Sequence, residues 1–130
     1  NELRKFSRRT YENIMRWASR YGIEASTAAV YNKAKKGNYG RYVSLNLQNY
    51  NTIEFRIFRG TLKYETFIAT LELVHEICTR AIDATDRDFE TMCWGDFVKG
   101  IDKDKKPYLI DYLKSKDLYI NEPVYTTEGE

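Results

Sequence analysis

At 130 residues, 42% hydrophobic and 31% charged, the chain has the make-up of an ordinary globular protein and the length for one domain or less with a modest core. No apolar run approaches the ~20 residues of a membrane span and the start does not read as a signal peptide, so a cytoplasmic protein without a membrane partner is expected. A net charge of +2 conceals an asymmetry: residues 1–63 carry 13 Lys/Arg against 4 Asp/Glu, a net of +9, and residues 64–130 carry 8 against 15, a net of −7. A basic half calls for an anion: nucleotide phosphates, nucleic acid, or the acidic half packed alongside. Cys78 and Cys93 lack CxxC spacing and His75 is the only histidine, which speaks against zinc and for reduced thiols. The start at Asn1 rather than Met points to an excised fragment.

Residues 1–22 read as one helix, capped by Ser7 or Thr10, with an apolar stripe of Ile14, Trp17, Ala18 and Tyr21 and an end at Gly22. Arg8 and Arg9 fall near its head, where backbone N–H groups and two guanidiniums would meet one anion. The competing reading is a solvated basic turn or a pair to a distant carboxylate. Ser26 or Thr27 opens a second helix through about Lys36. The break Gly37-Asn38-Tyr39-Gly40, flanked by Lys35, Lys36 and Arg41, lacks the Gly-Lys-Ser/Thr end of a phosphate-binding P-loop and reads as a solvated loop.

Residues 41–47 read as a strand with Val43, Leu45 and Leu47 inward and Ser44 and Asn46 on the other face. A polar turn, Gln48-Asn49-Tyr50-Asn51, leads to a second strand, Thr52 to Thr61, with Ile53, Phe55 and Ile57 on one face and Glu54, Arg56 and Phe58 on the other. Pairing as a hairpin would gather Ser44, Asn46, Glu54 and Arg56 on one surface. An amide, a carboxylate and a guanidinium together suit a metal-bound polyphosphate, because carboxylates are hard ligands for Mg2+ and Arg fits phosphate oxygens. A cross-strand polar network on an ordinary sheet face fits the same pattern. Arg59 has core parity but sits at the strand end before Gly60; burial unpaired would be costly, so it has an anionic partner or reaches solvent.

The longest helix spans 64–85, with a stripe of Phe67, Ile68, Leu71, Val74, Cys78, Ala81 and Ile82 widened by Leu73 and Ile77, and an outer face of Glu65, Glu72, Glu76 and Asp83. The stripe is expected to lie across the apolar face of the hairpin, with His75 partly buried at its edge. Residues 86–121 read as accessory helices, one short helix from Asp86 to Asp102 anchored by Trp94, Phe97, Val98 and Ile101 and a last one opened by Pro107 with Tyr108, Leu109, Tyr112 and Leu113 inward. Residues 122–130 form a polar tail. The fold class is therefore α+β, an antiparallel β-hairpin packed against a long helix, with residues 1–85 as one domain-like body.

The run IEFRIFRGTLKYETF, preceded by VSLNLQNYNT, resembles the phage- and bacteria-associated amidoligases, ATP-dependent carboxylate–amine ligases similar to glutamine synthetase. The resemblance is specific over residues 41–75 and traceable in FSRRTYENIMRWA and PYLIDYLKSKDLYI. The family's upstream Glu-x-Glu and His-x-His strands are absent, so the chain looks like the C-terminal part of such an enzyme. The resemblance implies ATP and Mg2+ as cofactors, carboxylate and amine substrates (a peptide or a small metabolite), and an amide bond formed through an acyl-phosphate. It assigns Glu54 to the metal and Arg56 to the phosphates or the acyl-phosphate. Arg59, Arg8 and Arg9 are further candidates for the same anion, and Asn46 for a hydrogen bond to ligand or to Glu54. Because further metal ligands would come from the upstream part of the same protein, the chain alone is expected to be inactive.

Two other function classes fit. A nucleic-acid-binding module would use the basic half, where Arg and Lys interleave with Tyr11, Trp17, Tyr21, Tyr31, Tyr39 and Tyr42. A non-catalytic interaction domain would use the ligase fold without the chemistry.

Overall fold

A computed structural model describes residues 1–120; the polar tail expected at 122–130 lies outside them. The chain is α+β and divides into two compact units, Asn1–Gly60 and Thr61–Glu130, so the long helix groups with the C-terminal helices. No helix among the described residues is long and apolar enough to cross a membrane.

The first unit opens with two helices where the stripe predicts one. Helix α1 is Glu2–Ser7 and α2 is Tyr11–Trp17. Arg8 breaks them apart at φ 62°, a left-handed conformation that terminates a helix. Thr10 then restarts it, its hydroxyl accepting from the Asn13 N–H at 3.2 Å. Helix α2 ends at Trp17, well before Gly22, because Ser19 pairs with the later chain. The Ser19 N–H donates to the Tyr42 carbonyl at 3.0 Å, and the Ser44 N–H to the Ser19 carbonyl at 2.8 Å. Helix α3, Thr27–Lys35, carries the expected Ser26 cap.

Strands β1, Leu45–Asn46, and β2, Glu54–Phe55, pair antiparallel with Leu45 opposite Phe55 and Asn46 opposite Glu54. The hairpin is real but its ladder is short. Past Phe55 the Arg56 N–H still reaches the Ser44 carbonyl at 2.8 Å, but the carbonyls of 56–59 turn to arginine side chains and the Arg59 N–H to the Ser7 carbonyl. Alternation also fails in part, since Asn46 is buried while Ile53 is exposed. The core of this unit is Phe6, Ile14, Ala18, Ala34 and Val43, and Phe6 meets Phe58 edge-on at 5.8 Å.

The second unit is helical: α4 Tyr64–Asp83, α5 Asp86–Thr91, α6 Trp94–Lys99 and α7 Pro107–Ser115; the one helix expected over Asp86–Asp102 is two, because Met92 turns extended and Cys93 with Asp96 caps a new start. Pro107 opens α7 as its sequence predicts. Helix α4 packs on α7 through Thr66, Ala69, Leu73 and Glu76, met by Leu109, Ile110, Tyr112 and Leu113. This is not the face the apolar stripe predicts: Phe67, Leu71 and Ile82 stand exposed, as does His75. The inward turn of Glu76 has a physical reason. Arg80 Nε and Lys106 Nζ each lie 2.8 Å from its carboxylate, and a buried charge is tolerated when paired. Glu72, also expected outward, accepts from the Leu109 N–H at 2.6 Å and so satisfies a donor that the first turn of α7 leaves open.

Candidate functional site

The register that sets Asn46 opposite Glu54 assembles the expected cluster on the hairpin. Asn46 Nδ2 donates to Glu54 Oε2 at 3.1 Å, and Arg56 Nη1 donates to Glu54 Oε1 at 2.8 Å. Asn46 is fixed in turn because its Oδ1 accepts from the Gln48 N–H at 3.1 Å. One buried amide thus ties the turn to the carboxylate. The Asn46 hydrogen bond, then that of Arg56, holds the Glu54 carboxyl below the usual carboxylate range; desolvation opposes them, and the charges of Arg56 and Arg41 add smaller contributions in the same direction as the hydrogen bonds. Ser44, the fourth residue of the predicted surface, is not part of the cluster: its hydroxyl donates to the carbonyls of Ala18 and Ser19.

Arg56 is the reactive-looking member. Its side chain is 26% exposed, while its Nε is buried without a hydrogen-bond partner. The guanidinium also lies over the Tyr42 ring at 5.7 Å. Arg41 lies over the same ring at 5.0 Å and donates to the Tyr42 hydroxyl. Tyr42 meets Trp17 edge-on at 5.2 Å, and Arg16 lies 4.8 Å over Trp17. Three guanidiniums are therefore gathered around two aromatic rings, with Glu54 as the carboxylate paired to one of them. Sequence reasoning missed Arg16 and Arg41 as members; the signal available was the pair of Arg-aromatic dipeptides, Arg16-Trp17 and Arg41-Tyr42.

The other predicted residues are placed differently. Arg9 Nε donates to the Ile57 carbonyl at 2.9 Å, and its Nη2 reaches the carbonyls of Arg56 and Phe58 at 3.4 Å. Arg8 Nη2 donates to the Arg59 carbonyl. These two side chains staple the exit of β2 rather than aim at a shared anion beside a helix end. They follow the short helix α1 instead of heading a long one. Arg59 is exposed and reaches solvent, the second of its two expected outcomes.

A magnesium ion does not fit the described residues. Both Glu54 oxygens are engaged, and no group of three or more His, Cys, Asp or Glu among the described residues could hold a metal. An open groove of about 230 Å³ beside the hairpin turn is lined by Tyr31, Lys35, Leu47, Tyr50, Asn51, Thr52 and Ile53, apart from Glu54. No protein-family model matches the chain, and neither a curated protein nor a solved structure matches it significantly.

Proposed function

We propose that this chain supplies the hairpin part of the active-site sheet of an ATP-dependent carboxylate–amine ligase of the glutamine synthetase-like amidoligase type. The observation that carries the reading is the Asn46–Glu54–Arg56 network, set on the strand segment whose sequence resembles that family. Glu54, kept ionised, holds Nη1 of the Arg56 guanidinium, and the exposed part of that side chain leaves donor capacity for a phosphate or carboxylate oxygen. Arg41, seated on Tyr42, raises the positive potential beside it. ATP, when bound, would supply the phosphoryl group that activates the substrate carboxylate; the part of this chain is to grip an oxyanion and orient it. Metal ligands would have to come from outside the described residues, and the chain alone is inactive.

Titration calorimetry with ATP tests this, on the chain alone and with the upstream part of the protein supplied. Binding by the combined protein that Arg56→Ala weakens at least tenfold, and that Glu54→Gln also weakens, is the expected result. Binding indifferent to both substitutions removes the ligase reading.

A second reading has its own observation. The Arg16–Trp17 and Arg41–Tyr42 stacks in a strongly basic unit suit the phosphates and bases of a single-stranded oligonucleotide. It predicts binding that weakens steeply with salt, lost in Trp17→Ala and Arg41→Ala. A non-catalytic interaction domain predicts neither ATP nor oligonucleotide binding.

A further inference from the structure

Helix α4 carries two faces that do different things. Thr66, Ala69, Leu73 and Glu76 are its buried residues. A separate row, Tyr64, Phe67, Leu71, Val74, Cys78 and Ala81, repeats at spacings of three and four, the a/d pattern of a helix seam. Tyr64 is 62% exposed, and Phe67 and Leu71 are each 51% exposed. The flanking positions are Ile68, Thr70, His75, Ile77 and Ile82. No Asp, Glu, Lys or Arg stands on the row or its flanks; Glu65, Glu72, Glu76, Arg80 and Asp83 all fall on the remaining faces. An uncharged apolar row exposed at Tyr64, Phe67, Leu71 and Ala81 and half-buried at Val74 and Cys78 is the mark of an interface.

We infer that this row is an antiparallel, two-fold interface between two copies of the chain. The order of side-chain sizes selects both partner and direction. In antiparallel register, Tyr64 meets Ala81 of the second copy, Phe67 meets Cys78, and Leu71 meets Val74, so each layer sets a larger side chain against a smaller one. The two-fold axis repeats the same three layers in reverse, which makes the row self-complementary. Parallel pairing would crowd Tyr64 and Phe67 against their own copies and leave Ala81 facing Ala81 across a gap. Opposed macrodipoles favour the antiparallel choice as well. The row rises about 26 Å over its 17 residue steps. Two helices in contact over that length bury on the order of 1,000 Å² in total, the low end of specific interfaces, so the dimer is weak and in the micromolar range.

Sedimentation equilibrium of the whole chain from about 1 to 200 µM brackets such a Kd. The expected result is a concentration-dependent dimer, weakened at least tenfold by Leu71→Glu and unchanged by Glu65→Gln, which lies off the row. Circular dichroism confirms that both variants remain helical. The direction is read by thiol oxidation in a Cys93→Ser background. Cys78 alone gives no covalent dimer, because antiparallel pairing leaves the two Cys78 positions about 16 Å apart along the axis. Adding Phe67→Cys places a thiol opposite Cys78 of the second copy and gives a covalent dimer on oxidation. A monomer at 200 µM overturns the inference, and amide protection of the row in that monomer would assign it to cover from within the chain. A dimer indifferent to Leu71→Glu, or ready cross-linking through Cys78 alone, overturns it equally.

Discussion

The two units place their charged groups differently. In the first, guanidiniums and hydroxyls hold backbone: Arg8, Arg9, Ser19 and Ser44 all bond main-chain carbonyls, and the sheet they support pairs only two residues per strand. In the second, charge is sunk into the helical core, where Glu76 joins Arg80 and Lys106. A short hairpin cannot satisfy its own carbonyls, so side chains complete the ladder. A helix satisfies its interior carbonyls by itself, so its side chains are free to pair with one another.

The contrast can be broken most severely in the second unit. Glu76→Ala strands the ammonium of Lys106, whose side chain is 12% exposed, and leaves Arg80 only the Phe97 carbonyl and ring. A loss of about 3–5 kcal/mol is expected, read as a lowered urea midpoint. Leu73→Ala, at a fully buried position between α4 and α7, should cost about 2–4 kcal/mol by cavity formation. If either variant unfolded at the wild-type midpoint, the buried α4 face would be wrongly assigned.

Smaller effects sharpen the description of the first unit. Arg9→Ala removes the staple on the carbonyls of 56–58 and should cost about 1–2 kcal/mol, with faster amide exchange at Arg59 and around β2. Exchange unchanged there would mean that the strand exit holds itself. Thr10→Ala should cost about 1 kcal/mol, seen as fraying of α2 in amide exchange. The smallest expected effect is a matter of pH. Glu54 has its pKa lowered in the folded state, so its contribution is fully present above the ordinary carboxylate value of 4.5 and is lost as pH falls through the depressed value. The stability difference between wild type and Glu54→Gln should therefore close below that value; a difference constant across the acid range would show that protonation of Glu54 is not involved.

Several elements were legible because their causes are local. Alternation around a polar turn located the hairpin, and with it the Asn46–Glu54–Arg56 neighbourhood. Ser26, Thr10 and Pro107 marked helix starts through hydrogen bonds or φ restrictions set within a few residues. The break at Arg8 was not legible, since an arginine carries no preference for φ 62° and the hydrophobic stripe runs past it. Nor were the roles of Arg8 and Arg9, whose partners lie about 50 residues away in the sequence. Helix α4 misled for another reason: its strongest apolar row is not the row that packs on α7.

The sequence by itself determined the α3, α4 and α7 helices, the existence of the hairpin, and the charge division along the chain, because propensity, capping and alternation act over a few residues. Tertiary structure alone decided which arginines are staples and which one pairs with Glu54. It likewise decided which side of α4 is core, because those outcomes depend on whether a distant carbonyl, carboxylate or helix stands within about 3 Å of the group in question.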